Sequence, residues 1–147
     1  GMALAARLEN SPRRVFVILG DGEIQEGQVW EAAMTAAHHR LDNLVAFLDF
    51  NGLQIDGWVR DVKSPEPLLD KWRSFGWHTL EVDGHDYNSL MEGVGRAFAH
   101  RGAPTMIIAR TVKGKGVSFM ENEAGWHGSA PNKEQCEKAL QELGGGR

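Results

Sequence analysis

Apolar runs of strand length alternate along the chain with longer amphipathic stretches, and this order predicts an α/β fold with a mostly parallel sheet covered by helices on both faces. Three observations carry that expectation. Four β-branched or aromatic runs recur, three of them stop at Gly20-Asp-Gly22, Asn51-Gly52 and Asp83-Gly84, and the segments between them place apolar residues at helical spacing. The 147 residues, 41% hydrophobic and 24% charged, suit one domain spanning 1–147 around a single core.

In order, a short helix leads into a buried strand at Arg14 to Leu19. From Gln25 to His39 the residues Val29, Ala33, Ala36 and Ala37, with Trp30 and Met34, give a helical period that Asp42-Asn43 ends. Apolar residues cover much of that helix's circumference, which predicts association through it. Leu44 to Phe50 is the second buried strand, followed by a polar loop from Leu53 to Val62. After Ser64-Pro-Glu-Pro67, a serine and prolines suited to a helix start, Leu68 to Phe75 reads as a helix closed by Gly76. Trp77 to Val82 is the third strand, Tyr87 to His100 a helix, Thr105 to Ala109 the fourth strand and Lys133 to Leu143 an amphipathic helix. The Gly144–Gly146 tail is the only low-complexity stretch.

A net charge of −4, with no block of like charge, points away from nucleic acid. The apolar runs fall well short of the ~20 residues of a membrane span, and the N-terminus lacks the pattern of a secretory signal. The lone Cys136 has no internal partner and no acid or histidine beside it that would suggest a nucleophile, so a reducing, cytoplasmic setting is the expectation.

The chemistry concentrates at two strand ends. Asn51 follows Asp21 by 30 positions, about one βαβ unit, so on neighbouring parallel strands the two side chains sit about 5 Å apart at the carboxyl edge. Both offer oxygen, as magnesium prefers, and magnesium held by so few protein groups expects a phosphate to complete its shell. The glycines around Asp21 and the helix N-terminus beyond it favour an anion in the same crevice. Taken alone, Gly-Asp-Gly and Asn-Gly are ordinary turns; the order strand, Gly-Asp-Gly, helix, strand, Asn carries the functional reading. Lys113-Gly-Lys-Gly116 has the look of a phosphate loop but lacks the nucleotide-binding pattern.

Gly20-Asp-Gly-Glu-Ile-Gln-Glu-Gly-Gln-Val-Trp-Glu-Ala-Ala-Met34, Asp49-Phe-Asn-Gly-Leu-Gln-Ile-Asp-Gly57 and Gly125-Trp-His-Gly-Ser-Ala-Pro131 resemble the cofactor-binding part of transketolases, especially N-terminal subunits of transketolases split over two polypeptides. The resemblance implies thiamine diphosphate with Mg2+, or Ca2+ or Mn2+ in its place. It implies metal binding by Asp21, Asn51 and the Leu53 carbonyl, and cofactor contacts from Gly20, Gly22, Ile55 and His127. It further implies catalytic contributions from His127, from Glu26 and from Glu31, the two glutamates reaching across a subunit interface. On their own, Ile55 reads as packing, and Glu26 and Glu31 as a charge favouring the helix dipole and a surface acid.

The implied reaction moves a two-carbon ketol unit from a ketose phosphate to an aldose phosphate. A C-terminal subunit or domain would supply the pyrimidine-binding site in a homo- or hetero-oligomer. A deoxyxylulose-phosphate synthase-like component and a catalytically inactive partner subunit remain as alternatives. Measured against that family, a glycine-rich segment and donor-sugar histidines are expected upstream of Gly1. Their absence predicts a fold incomplete at its N-terminus, a thinly covered sheet edge and weak turnover even with a partner.

Overall fold

The computed structural model describes residues 1–144, so the end of the glycine tail lies outside the described residues. Four parallel strands, β1 (Val15–Gly20), β2 (Leu44–Phe50), β5 (His78–Asp83) and β6 (Thr105–Arg110), form one sheet in the order β1-β2-β6-β5. Helices α1 (Met2–Leu8), α2 (Gly27–His38), α4 (Leu68–Ser74) and α5 (Tyr87–Ala99) pack around it. A short antiparallel hairpin, β3 (Leu53–Gln54) and β4 (Gly57–Trp58), then α3 (Val59–Lys63), occupy the stretch expected as a loop. Helix α6 (Lys133–Glu142) follows a one-turn 3-10 helix at Ala124–His127.

Period-two alternation in the central strands divides the core into two layers. Ala46 and Leu48 of β2, with Met106 and Ile108 of β6, face α1, α2 and α4. Val45, Ile107 and Ala109 face the other way, with Leu80 and Val82 of β5, toward Ala97 of α5. β6, flanked on both sides, is buried from Thr105 to Ala109. On the first layer Trp72 is the hub: its ring lies 4.9 Å from Trp30 and 5.1 Å from Trp77. Such aromatic pairs contribute about 0.5–1.5 kcal/mol each beyond their buried area. Trp77 and Trp30 also donate their indole N–H groups to the carbonyls of Ala33 and Ile24, tying α2 to both ends of this cluster.

One expectation is overturned. The run at Arg14 to Leu19 is not a buried strand: β1 lies at the sheet edge, with Ile18 74% and Phe16 49% exposed. α5 lies over β5 and β6, and near its far end the Phe98 ring lies 5.9 Å from Phe16 of β1. Trp30, counted toward an outward apolar surface of α2, turns inward onto Trp72 and Phe75, leaving Met34 as that helix's exposed large apolar residue.

Candidate functional site

The carboxyl ends of β1 and β2 open into a cavity of about 530 Å³ lined by Gly20, Asp21, Gly22, Glu23, Asp49, Asn51, Leu53, Gln54, Ile55, Asp56, Lys113 and His127. Register explains the convergence. Gly20 pairs with Asp49, so the residues just beyond each strand, Asp21 and Asn51, leave the sheet side by side. Crevices at this edge of parallel sheets are where such folds bind ligands.

Asp21 is 2% exposed and makes no ion pair among the described residues. Its Oδ1 accepts from Gly22 N–H at 2.8 Å and its Oδ2 from Gly52 N–H at 2.6 Å. Burial nonetheless raises its pKa, outweighing those hydrogen bonds, and the nearby Asp49 carboxylate adds to the rise. A buried acid without a cation is electrostatically unfinished. Asn51 Oδ1 accepts from Leu53 N–H at 2.9 Å, which fixes the amide and leaves a second lone pair. Among the described residues no cluster of three His, Cys, Asp or Glu side chains could hold a metal. Asp21, Asn51 and the Leu53 carbonyl contain one carboxylate, and that set fits a hard cation shared with a phosphate rather than an all-protein metal cage.

The far wall comes from the segment after β6. Lys113 enters the cavity there, and motif reading passes over it because its loop does not match the nucleotide-binding pattern. The signal that could have found it is its place directly after a strand, at the same sheet edge as Asp21. His127 is exposed and reaches the cavity from the 3-10 turn, which packs against β3. Trp126 holds that turn, donating its indole N–H to the Phe119 carbonyl at 3.0 Å. Ile55, 71% exposed, forms the rim at the tip of the β3–β4 hairpin. On the other hairpin strand, Trp58 covers Gly52, the donor to Asp21.

The structure does not bring Glu26 and Glu31 into this cavity. Both are exposed, Glu26 at the N-cap of α2 and Glu31 within the helix. Gly20, Gly22, Asp21, Asn51, Leu53, Ile55 and His127 are brought together. Asp49, hydrogen-bonded by Thr111 Oγ1, and Gln54, which accepts from Gln25 Nε2 at 2.6 Å, join them; both lie within the stretch Asp49 to Gly57, which singled out Asn51, Leu53 and Ile55 instead.

A parallel sheet with an acid, an amide, a lysine and a histidine around one crevice at its carboxyl edge defines an α/β domain suited to a phosphorylated ligand. The sequence pattern described as "Transketolase, thiamine diphosphate binding domain" matches residues 6–146, and the chain therefore belongs to the transketolase family. It is 46% identical over 143 residues to a 6-deoxy-6-sulfo-D-fructose transketolase subunit of Clostridium sp. (strain MSTE9), covering 97% of this chain and 52% of that protein. It is 41% identical over 143 residues to an apulose-4-phosphate transketolase subunit of Actinobacillus succinogenes, covering 97% and 51%. The chain thus spans about half the length of these relatives. The fold superposes on a crystal structure of transketolase from Campylobacter jejuni with a TM-score of 0.88 and 29% identity, over 97% of this chain and 23% of that one.

Proposed function

We propose that this chain forms the diphosphate- and metal-binding wall of a transketolase that moves a two-carbon ketol unit from a ketose phosphate to an aldose phosphate. The observation that carries the reading is the meeting of Asp21, Asn51, Lys113 and His127 in one cavity. Asp21, Asn51 and the Leu53 carbonyl would hold magnesium, or calcium or manganese in its place. Gly22 and the Lys113 ammonium would face the diphosphate, and Ile55 would pack against the thiazolium ring. His127 would donate a hydrogen bond or move a proton beside the donor sugar. Bound thiamine diphosphate supplies the nucleophilic carbon; the chain's residues orient it and neutralise its charge.

Two relatives are named as subunits acting on ketoses with an anionic or phosphorylated end. Their names support a C-terminal partner subunit here as well, with Glu26 and Glu31 on the exposed side of α2 facing it. The place of His127 in the cavity favours a transketolase over a deoxyxylulose-phosphate synthase-like component or an inactive subunit.

The test is calorimetry of thiamine diphosphate binding, with and without magnesium and in the presence of a C-terminal transketolase subunit. Asp21→Ala is expected to weaken magnesium-dependent binding by several kcal/mol, about a hundredfold or more. Equal affinity for the variant and the wild type would remove the metal assignment.

A further inference from the structure

We infer that His85, outside the cavity, is a positioning residue for Lys113 and tunes diphosphate binding from a point remote from the ligand. This inference rests on the diphosphate reading of the cavity.

The edge strand β5 contributes nothing directly to the cavity, yet the turn at its end docks on the exit of β6. Gly84 donates its N–H to the Arg110 carbonyl at 2.8 Å and lies so close that a β-carbon there would collide with the Thr111 methyl. Asp83 Oδ1 accepts from His85 N–H at 2.9 Å, which turns the imidazole toward the next loop. There His85 Nε2 accepts from Val112 N–H at 2.7 Å. Val112 immediately precedes Lys113, so this contact fixes the direction in which the chain leaves β6 and delivers the lysine.

Beyond Lys113 the loop is built to hold one shape. Asn122 N–H returns to the Lys113 carbonyl at 3.0 Å, and Glu121 accepts from Gly116 N–H at 2.9 Å. Gly114 adopts a φ of +73° against the Met120 carbonyl, where no side chain fits. A loop closed on itself in this way moves as a unit, so the tether at Val112 sets where Lys113 points. At that tether the acceptor is a nitrogen lone pair. The charged groups around His85 are Glu81, Asp83, Arg110, Lys115 and Glu121. Arg110 is engaged by Glu81 and Lys115 by Glu121, leaving Asp83 occupied with the His85 backbone.

Magnesium pyrophosphate, titrated calorimetrically into the full chain, is the probe. His85→Gln, which keeps a hydrogen-bond acceptor in that place, is expected to bind like the wild type. His85→Ala is expected to bind about threefold more weakly than the wild type, the scale of one net hydrogen bond. In a Lys113→Ala background the His85→Ala effect should vanish, since the two residues act through one contact. Binding by His85→Gln as weak as that by His85→Ala, or an undiminished His85→Ala effect without Lys113, overturns the assignment. Absence of pyrophosphate binding by the wild type overturns the diphosphate reading and this inference with it. Amide exchange at Val112, faster in His85→Ala than in the wild type, reports the tether separately, and equal exchange would show that His85 does not hold the loop.

Discussion

Asp21, the proposed cation ligand, is a residue whose burial comes at the fold's expense. Its carboxyl group is buried beside Asp49 and its pKa stands above the ordinary 3.8. The folded chain then holds the proton more tightly than the unfolded chain, so Asp21 lowers stability as pH rises from about 4 through its folded pKa. Urea denaturation from acid to neutral pH should show this component in the wild type and lose it in Asp21→Asn; identical pH profiles would show that the buried charge costs nothing. On the proposed reading, a cation brought in with a diphosphate would reverse the penalty. Asp21 was legible in the sequence because a glycine turn after an apolar run at one-unit spacing from Asn51 is a local pattern. Lys113 was not, because its role depends on β6 lying next to β2, a fact of sheet order that no spacing announces. Glu26 and Glu31 mark the opposite limit: the resemblance singles them out, yet among the described residues neither carboxylate makes an ion pair.

At the scale of elements, the two ends of the sheet behave differently. β5 closes one edge with help from α5: the His78 ring stacks on His100 at 4.1 Å, joining the start of the strand to the end of the helix. Burial lowers the His78 pKa, and the charges of His100, Arg96 and Arg73 lower it further. The unfolded chain therefore binds protons first, and stability is expected to fall as pH drops from about 6.5 through the folded value. His100→Phe keeps a stacked ring without its charge and should shrink that loss in a pH series of thermal midpoints; an unchanged loss would exclude the pair as its source. At the other edge, β1 exposes Ile18 and Phe16 beside an open row of backbone groups, an arrangement prone to edge-to-edge association. Ile18→Lys should reduce concentration-dependent light scattering of the isolated chain, and scattering equal to wild type would place the sticky surface elsewhere.

The central strands were legible because two-sided burial makes them continuous apolar runs, and α5 because its one buried face imposes a helical period. β1 misled because an apolar run reads alike whether a neighbour covers it or not. The β3–β4 hairpin escaped notice because its strands of two residues are too short to show any period.

For the molecule as a whole, the core lies between sheet and helices while the cavity sits at one end, walled by a hairpin, a loop and a 3-10 turn. Such segments are stabilised by what they bind more than by what they bury. Thiamine diphosphate with magnesium at 100 times its Kd should add about 2.7 kcal/mol, a rise on the order of 10 °C in the thermal midpoint. No rise under saturating conditions would mean that the cavity does not hold the cofactor in this chain alone.

The placement of the five tryptophans makes that cavity visible to light. Trp30, Trp72 and Trp77 form the cluster between α2 and α4, whereas Trp58 covers Gly52 and Trp126 anchors the turn that carries His127. The first set senses whether the chain is folded, the second whether the cavity is filled. Ligand should therefore shift the emission of Trp58 and Trp126 under conditions where the core indoles stay constant. In a Trp58→Phe, Trp126→Phe chain the binding signal should disappear while the unfolding signal remains, giving two optical readouts from one molecule.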